Sequence, residues 1–500
     1  MDLKTFWAMA AAVALAPAVL APAGLSDERA GAASASSARP SFAIVRPNPN
    51  PYPSTYKPLP SGPFVIRNAT VYDGAGAAYA NADVAVADGK IVAVGPQLSA
   101  PAGAMEIDAK GRFVTPGIID VHSHLGVYAS PSVNAHDDGN EATAPARPDA
   151  WAEHSVWPQD PGFERALAGG VTVMQILPGS ANLFGGRSVV LKNVPARTVQ
   201  GMKFPGAPYG LKMACGENPK RVYGEKGGPS TRMGNMAGYR QQWIKAEEYR
   251  RRWDDYWRKA EAYAKQVSDT GARTRRGVKP AEPPTPPDRD LKLDTLADVL
   301  RGEILIQMHC YRADEMALIL DLAREFGYRV TAFHHAVESY KIADLLKADG
   351  VCSAMWADWW GFKLEAWDTV RENIPLVHQA GACAIVHSDS AIGIQRLNQE
   401  AAKALADGRK AGIQISDAEA WTWLSLNPAK ALGLDAVTGS LVPGKNADIV
   451  IWSGDPFSVY SHADQVFLDG ARIYDRFDPA YQPMSDFELA TDAPAKGGRP

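Results

Sequence analysis

His122-Ser123-His124 ends a short apolar run, Val114-Thr115-Pro116-Gly117-Ile118-Ile119-Asp120-Val121. Alternate side chains of a strand share a face, so two imidazoles spaced by one residue could grip one metal ion. Other candidate ligands stand at the ends of other apolar runs. His309 closes Ile304-Leu305-Ile306-Gln307-Met308, and His334-His335 close Val330-Thr331-Ala332-Phe333. Asp389 follows Ala384-Ile385-Val386-His387-Ser388, and Glu217 follows Leu211-Lys212-Met213-Ala214-Cys215-Gly216. A single histidine on an apolar strand is more often a core or surface residue than a ligand. Five separate strand ends bearing imidazole or carboxylate resist that explanation. Mixed donors of this kind suit zinc, with manganese, iron or cobalt as alternatives.

The elements that must position these residues alternate. Apolar runs at 171–177, 211–216, 303–309, 329–333, 350–354 and 382–387 are separated by amphipathic segments such as 313–326 and 340–348. That alternation predicts βαβ units and a parallel sheet, and about eight strands over residues 116–435 suit a (β/α)8 barrel of the TIM type. The carboxyl ends of barrel strands converge on one rim. Residues 62–115 and 436–476 read instead as short antiparallel strands, with Asp88-Gly89 as a hairpin turn, and predict a small composite β-sandwich made from both ends of the mature chain. Gly185-Gly186 reads as a tight turn.

Residues 225–290 are too long for a barrel connection and form a helical, Pro-rich insertion. Tyr249, Trp253, Tyr256, Ala260, Tyr263 and Val267 fall on one helix face. An aromatic stripe packed on the outside of the barrel is the plainer reading, and a lid over the pocket the sharper one.

The bulk properties narrow the field. The chain has 500 residues, 46% of them hydrophobic, with a formal net charge of −4. No basic excess exists to neutralise phosphates, which excludes a nucleic-acid partner. Residues 1–23 read as a signal peptide: Lys4 precedes the apolar stretch Phe6 to Leu20, and Ala21-Pro22-Ala23 offers a cleavage site. Cleavage would leave no stable membrane anchor, and the protein is expected to be exported, periplasmic or secreted. Residues 24–61 form a Pro/Ala/Ser-rich linker or extended arm, and 477–500 a C-terminal tail. Four cysteines (Cys215, Cys310, Cys352 and Cys383) make no disulfide framework, and buried thiols are the expected state.

Taken together, the chain resembles the amidohydrolase superfamily, and within it the imidazolonepropionase-like and exported prolidase-like branch. The resemblance spans residues 62 to about 475. It is carried by Thr115-Pro116-Gly117-Ile118-Ile119-Asp120-Val121-His122-Ser123-His124, by His309-Cys310-Tyr311-Arg312-Ala313-Asp314-Glu315, and by His335-Ala336-Val337-Glu338. Ser388-Asp389-Ser390, Asn427 to Leu434 and Gly439 to Asp448 complete it. It implies metal-dependent hydrolysis, with two zinc ions per chain. His122 and His124 are the implied ligands of the first, more buried ion, and His309 and His335 of the second. Asp389 is the implied catalytic carboxylate and also touches the first metal. Many relatives place a carboxylated lysine at the end of the fourth strand. Lys212 stands at the start of that strand and Glu217 at its rim end, so Glu217 is assigned the bridging role. His334 is expected on the opposite face, as a supporting or structural residue. Arg221, Tyr223, Tyr311 and Arg312 follow strand ends and are candidate binders of a substrate carboxylate, with ordinary loop salt bridging as the alternative.

The expected function is metal-dependent hydrolysis of a C–N bond in a small amide or cyclic amide, by metal-activated hydroxide. A metallo-dipeptidase or carboxypeptidase of prolidase type is the alternative within the fold, and a non-catalytic ligand-binding barrel the alternative of another class. The partner is then a small-molecule amide or peptide, and a homo-oligomer is allowed.

Overall fold

The computed structural model describes residues 42–270 and 282–482. The expected signal peptide, the first part of the linker (24–41), part of the Pro-rich stretch and most of the tail lie outside these residues.

Among the described residues, sixteen strands divide between two sheets. Near the start of the chain come β1 (Phe64–Tyr72), β2 (Ala78–Ala87), β3 (Lys90–Gly95), β4 (Met105–Asp108) and β5 (Phe113–Pro116). The barrel strands are β6 (Ile118–Ser123), β7 (Val171–Ile176), β8 (Phe184–Lys192), β9 (Gly210–Ala214), β10 (Leu305–Cys310), β11 (Val330–His335), β12 (Cys352–Met355) and β13 (Cys383–Val386). The last three are β14 (Ile449–Trp452), β15 (Ala463–Leu468) and β16 (Ala471–Asp475). The first sheet runs β16-β15-β14-β5-β1-β2-β3, with β4 beside β1, so both ends of the described chain build it. The second runs from β13 to β6 in sequence order. The fold is a TIM-type barrel with a separate β domain.

The apolar run 114–121 serves both sheets. Its first half is β5 and its second half β6, the first barrel strand. Gly117 makes the switch, because a Cβ there would stand 2.1 Å from Thr172 Oγ1. One barrel strand departs from the expected alternation. β8 is antiparallel to both β7 and β9, and the Gly185-Gly186 pair lies inside it rather than at a turn. At Gly186 the backbone has φ +120°, and a Cβ would meet the Ala150 carbonyl oxygen at 2.2 Å, so the strand passes a loop at close range.

The ring closes between β13 and β6 through the residues that follow β13. Asp389 N–H donates to the His122 carbonyl at 3.0 Å. Ser388 N–H donates to Asp120 Oδ1 at 3.3 Å, and Ser388 Oγ donates to Asp120 Oδ2. The β domain is tied on by a buried ion pair, Lys192 Nζ to Asp469 Oδ2 at 2.6 Å. Tyr56 of the arm donates to the same carboxylate at 2.6 Å.

The insertion is one long helix, Arg232–Thr270, followed by the helix Leu291–Leu300. Tyr239 and Trp243 join the main core, while Tyr249, Trp253, Tyr256 and Ala260 are buried against Ala297, with Phe42, Ile44 and Leu293 packed alongside. The described part of the arm, residues 42–61, holds this helix down. Trp257 Nε1 donates to the Val45 carbonyl at 3.1 Å, and Val45 N–H donates to Tyr256 Oη at 3.1 Å. The stripe therefore packs on the outside of the barrel.

The buried-thiol expectation is corrected. Cys215 is bonded to Cys310 and Cys352 to Cys383, and no cysteine is free. The pairing follows from the barrel. β9 neighbours β10 and β12 neighbours β13, so cysteines at matching heights on adjacent strands face each other, although 95 and 31 positions separate them in sequence. Ellman titration of the unreduced native protein should find no reactive thiol, and four after reduction in denaturant. Replacing Cys352 and Cys383 together with alanine should lower stability in urea by about 2–4 kcal/mol.

Candidate active site

Gln307, fully buried on β10, sets the chemistry of the rim from inside the barrel. Its Nε2 donates to the Ala431 carbonyl at 3.1 Å, which turns Oε1 toward His334 Nε2, 2.7 Å away. An amide oxygen only accepts, so His334 carries its proton on Nε2 and offers a lone pair at Nδ1. His122 Nδ1 lies 2.9 Å from that atom and donates to it. His122 Nε2 is then unprotonated. His124 is set the same way, because its Nδ1 donates to the Leu177 carbonyl at 2.9 Å and leaves Nε2 bare.

The two bare nitrogens stand 3.2 Å apart. Asp389 Oδ1 is 3.4 Å from the first and 3.2 Å from the second. Lone pairs and a carboxylate oxygen at such distances repel unless a cation lies among them. The donor set of two imidazoles and a carboxylate suits a divalent metal.

A second group adjoins the first. Ligand atoms of His122, His335 and His387 all lie within 4.8 Å of one another, and the His309 ring centroid is 4.5 Å from that of His335. Both ring nitrogens of His309 and His387, and Nδ1 of His335, are buried without a hydrogen-bond partner among the described residues. Leaving such groups unmade costs about 1–3 kcal/mol each, so their collection at one rim fits further metal coordination. Burial, reinforced by neighbouring lysine and imidazole charges, pushes His122, His309, His334 and His335 well below the ordinary histidine range. Burial and the Lys212 charge bring His387 down to about 3, against the opposing pull of Asp389. Neutral rings keep lone pairs for a metal. The Asp389 carboxyl is held below its ordinary value, the opposing push of burial being outweighed by neighbouring positive charge that includes the Lys212 ammonium.

Backbone strain gathers at the same place. His335, Ala336 and Asp389 have φ of 69°, 42° and 50°, a region non-glycine residues seldom adopt. The left-handed turn at His335 explains why His334 and His335, adjacent in sequence, both reach the cluster. The expectation that His334 faces the opposite side is corrected; it points inward and supports His122.

Lys212 and Glu217 also exchange places relative to expectation. Lys212 is fully buried, with Nζ 3.5 Å from His122 Nε2. Its four-carbon stem spans the distance from mid-strand to the rim, so its starting height on β9 is no obstacle. Burial brings its pKa down to about 8, opposed by the Asp389 charge. Glu217 lies beyond the barrel, opening the helix Glu217–Tyr223. Its carboxylate is 3.6 Å from Lys363 Nζ, and its N–H donates to Glu365 Oε1 at 2.7 Å. It belongs to neither group of metal-competent side chains found among the described residues.

Of the four candidate substrate binders, only Tyr311 reaches the cluster, stacked on His335 with centroids 5.1 Å apart. Tyr223 is buried and accepts from Asn182 Nδ2 at 2.7 Å. Arg312 is paired with Asp314 at 2.9 Å, and Arg221 is exposed. Sequence reasoning missed His387, Lys212 and Asp120 as parts of the site. The signals were present: His387 is the period-two neighbour of Asp389, and Lys212 is a lone charge inside an apolar run. Asp120, fully buried, accepts from the His122 N–H at 3.0 Å and from Ser388. Burial lifts its pKa to about 7 despite those hydrogen bonds.

Comparison with known proteins decides the family. A model described as the amidohydrolase family matches residues 113–476. The chain belongs to the amidohydrolase family. An amidohydrolase solved from Thermotoga maritima is 35% identical, with a TM-score of 0.67 over 83% of this chain and 100% of that one. Amidohydrolase tasK of Hapsidospora irregularis is 31% identical over 445 residues, 83% of this chain but only 43% of that relative's length. A 5-methylthioadenosine/S-adenosylhomocysteine deaminase of Symbiobacterium thermophilum is 26% identical over 422 residues, 78% of this chain and 84% of that one. Dihydroorotases match over much shorter stretches, such as 62 residues in Citrifermentans bemidjiense.

In this amidohydrolase the Gln307 amide fixes the tautomers that expose His122 Nε2. Gln307→Leu, close in volume but without an acceptor, should free His334 to reprotonate. Zinc affinity measured by chelator competition should fall by about tenfold to a hundredfold; unchanged affinity would show that the ring orientation is set elsewhere.

Proposed function

We propose that this amidohydrolase is an exported enzyme that hydrolyses the C–N bond of a small amide or cyclic amide at a centre of two divalent cations, zinc being the first choice. The observation that carries this reading is the approach of two bare imidazole nitrogens and the Asp389 oxygen, with His309, His335 and His387 unpartnered beside them. His122, His124 and Asp389 would hold the first ion, and His309 and His335 the second, with His387 within reach. Bound cations would lower the pKa of the attacking water to about 7 and polarise the carbonyl. Asp389 would take the proton from that water and return it to the departing nitrogen. Asp120 and Ser388, buried at the ring's seam, hold His122 and Asp389 at fixed separation.

Lys212, rather than Glu217, is the candidate bridge. A pKa near 8 leaves part of the amine neutral at neutral pH, and a neutral amine can add carbon dioxide to become an anionic carbamate. Lys212→Met should therefore lower metal content strongly by elemental analysis, and Glu217→Gln should leave it unchanged. The reverse pattern would restore Glu217 to the bridge.

The dipeptidase reading needs a cation for a substrate carboxylate. Arg221 is exposed and Arg312 is already paired, so neither favours it. Export is supported by the signal-like residues 1–23 and by two disulfides, which persist in oxidising compartments.

The reading is tested on a panel of N-acyl amino acids, dipeptides and cyclic amides. Asp389→Asn should fold normally yet turn over the best substrate about a hundredfold to ten-thousandfold more slowly. Near-normal turnover would move the proton transfer to another group. A metal-loaded protein inert to every class of substrate would favour a non-catalytic binding barrel.

A further inference from the structure

The segment after β12 carries apolar side chains into solvent at the rim that bears the ligands. Trp359, Trp360, Phe362, Leu364 and Trp367 are exposed by 37%, 58%, 56%, 80% and 61%. Such a concentration within nine positions is not the scattered exposure of an ordinary surface, and clustered apolar exposure marks a binding site.

The patch continues inward to the metal ligands. Trp359 stacks on Trp356 with centroids 5.0 Å apart and planes at 19°. Trp356 is buried and stacks on His335 at 4.5 Å, with its Nε1 donating to the Ser388 carbonyl at 3.1 Å. Phe362 meets the edges of both Trp356 and Tyr311, at 5.8 and 6.3 Å. The loop is pinned at both feet: by Trp356, and by buried Glu365, which binds the Glu217 N–H and Arg232. Its charges are compensated locally, since Lys363 lies near Glu365 and Glu217 and Asp358 pairs with Lys403.

We infer that Trp359 and Phe362 form an aromatic subsite that receives a large apolar or aromatic, uncharged side group of the substrate while its scissile bond lies at His335 and Asp389. The inference deepens the proposed hydrolytic reading and names its substrate class: amides of bulky apolar or aromatic residues rather than small polar ones. Unbroken ring stacking from the patch to His335 favours a substrate group over a second copy of the chain or another partner.

The test uses the zinc-loaded full chain and racemic N-acetylphenylalanine and N-acetylalanine, with binding read by calorimetry. If a probe is hydrolysed, the ratio of kcat/KM replaces the ratio of affinities. Burying a phenyl ring should favour N-acetylphenylalanine by at least about tenfold. The double variant Trp359→Ala with Phe362→Ala should bring the ratio close to one. Tyr460→Ala, at a remote and exposed position, should preserve it. Equal affinities in the unaltered protein would overturn the subsite. A concentration-dependent dimer that the double variant abolishes, with no preference between probes, would overturn it in favour of self-association. A preference without turnover of any amide would leave the subsite standing and defeat the hydrolytic reading.

Discussion

The repulsion among His122 Nε2, His124 Nε2 and Asp389 Oδ1 is the constraint on which the rest of the site depends. Three electron-rich atoms within 3.4 Å of one another repel unless positive charge lies among them, and two imidazoles with a carboxylate could hold a divalent metal there. Each imidazole is held there by a hydrogen bond at its other ring nitrogen, and Asp389 by its backbone. The Ala431 carbonyl orients Gln307, Gln307 orients His334, and His334 orients His122. The Leu177 carbonyl does the same for His124, and the His122 carbonyl fixes the backbone of Asp389. This is the outer support that metal ligands require, and here it reaches from the rim into the barrel interior.

Such support works only if the strands keep their heights. The Asp120–Ser388 contacts hold the seam where β13 meets β6. The Cys215–Cys310 disulfide joins the end of β10, immediately after His309, to the chain leaving β9, the strand of Lys212. The second disulfide joins β12 and β13 at Cys352 and Cys383. The long helix Arg232–Thr270 and the N-terminal arm brace the outside, where an aromatic stripe supplies buried area without entering the rim.

Much of this was legible in the sequence because period and punctuation were clean. The strand ends at His124, His309 and His335, the helix Ala313–Phe326 and the hairpin at Asp88-Gly89 all follow from local pattern. What was not legible depends on distance in space. Lys212 was set aside by its height on the strand, yet side-chain length carries it to the rim. Glu217 stood at the correct height, but the chain turns outward into a helix before it. His334 was assigned by strict alternation, which the left-handed backbone at His335 breaks. β8 was hidden because its glycines read as a turn, and an antiparallel strand was not expected in an otherwise parallel barrel. The disulfides join residues far apart in sequence, and no spacing rule connects them.

The most direct measurement is anomalous X-ray diffraction at the zinc edge from crystals of the zinc-loaded protein. An anomalous peak within about 2.0–2.2 Å of His122 Nε2, His124 Nε2 and an Asp389 oxygen, with a second beside His309 and His335, is the predicted result. A cluster without any anomalous peak, its nitrogens bridged instead by ordered water or by the Lys212 ammonium, would contradict it.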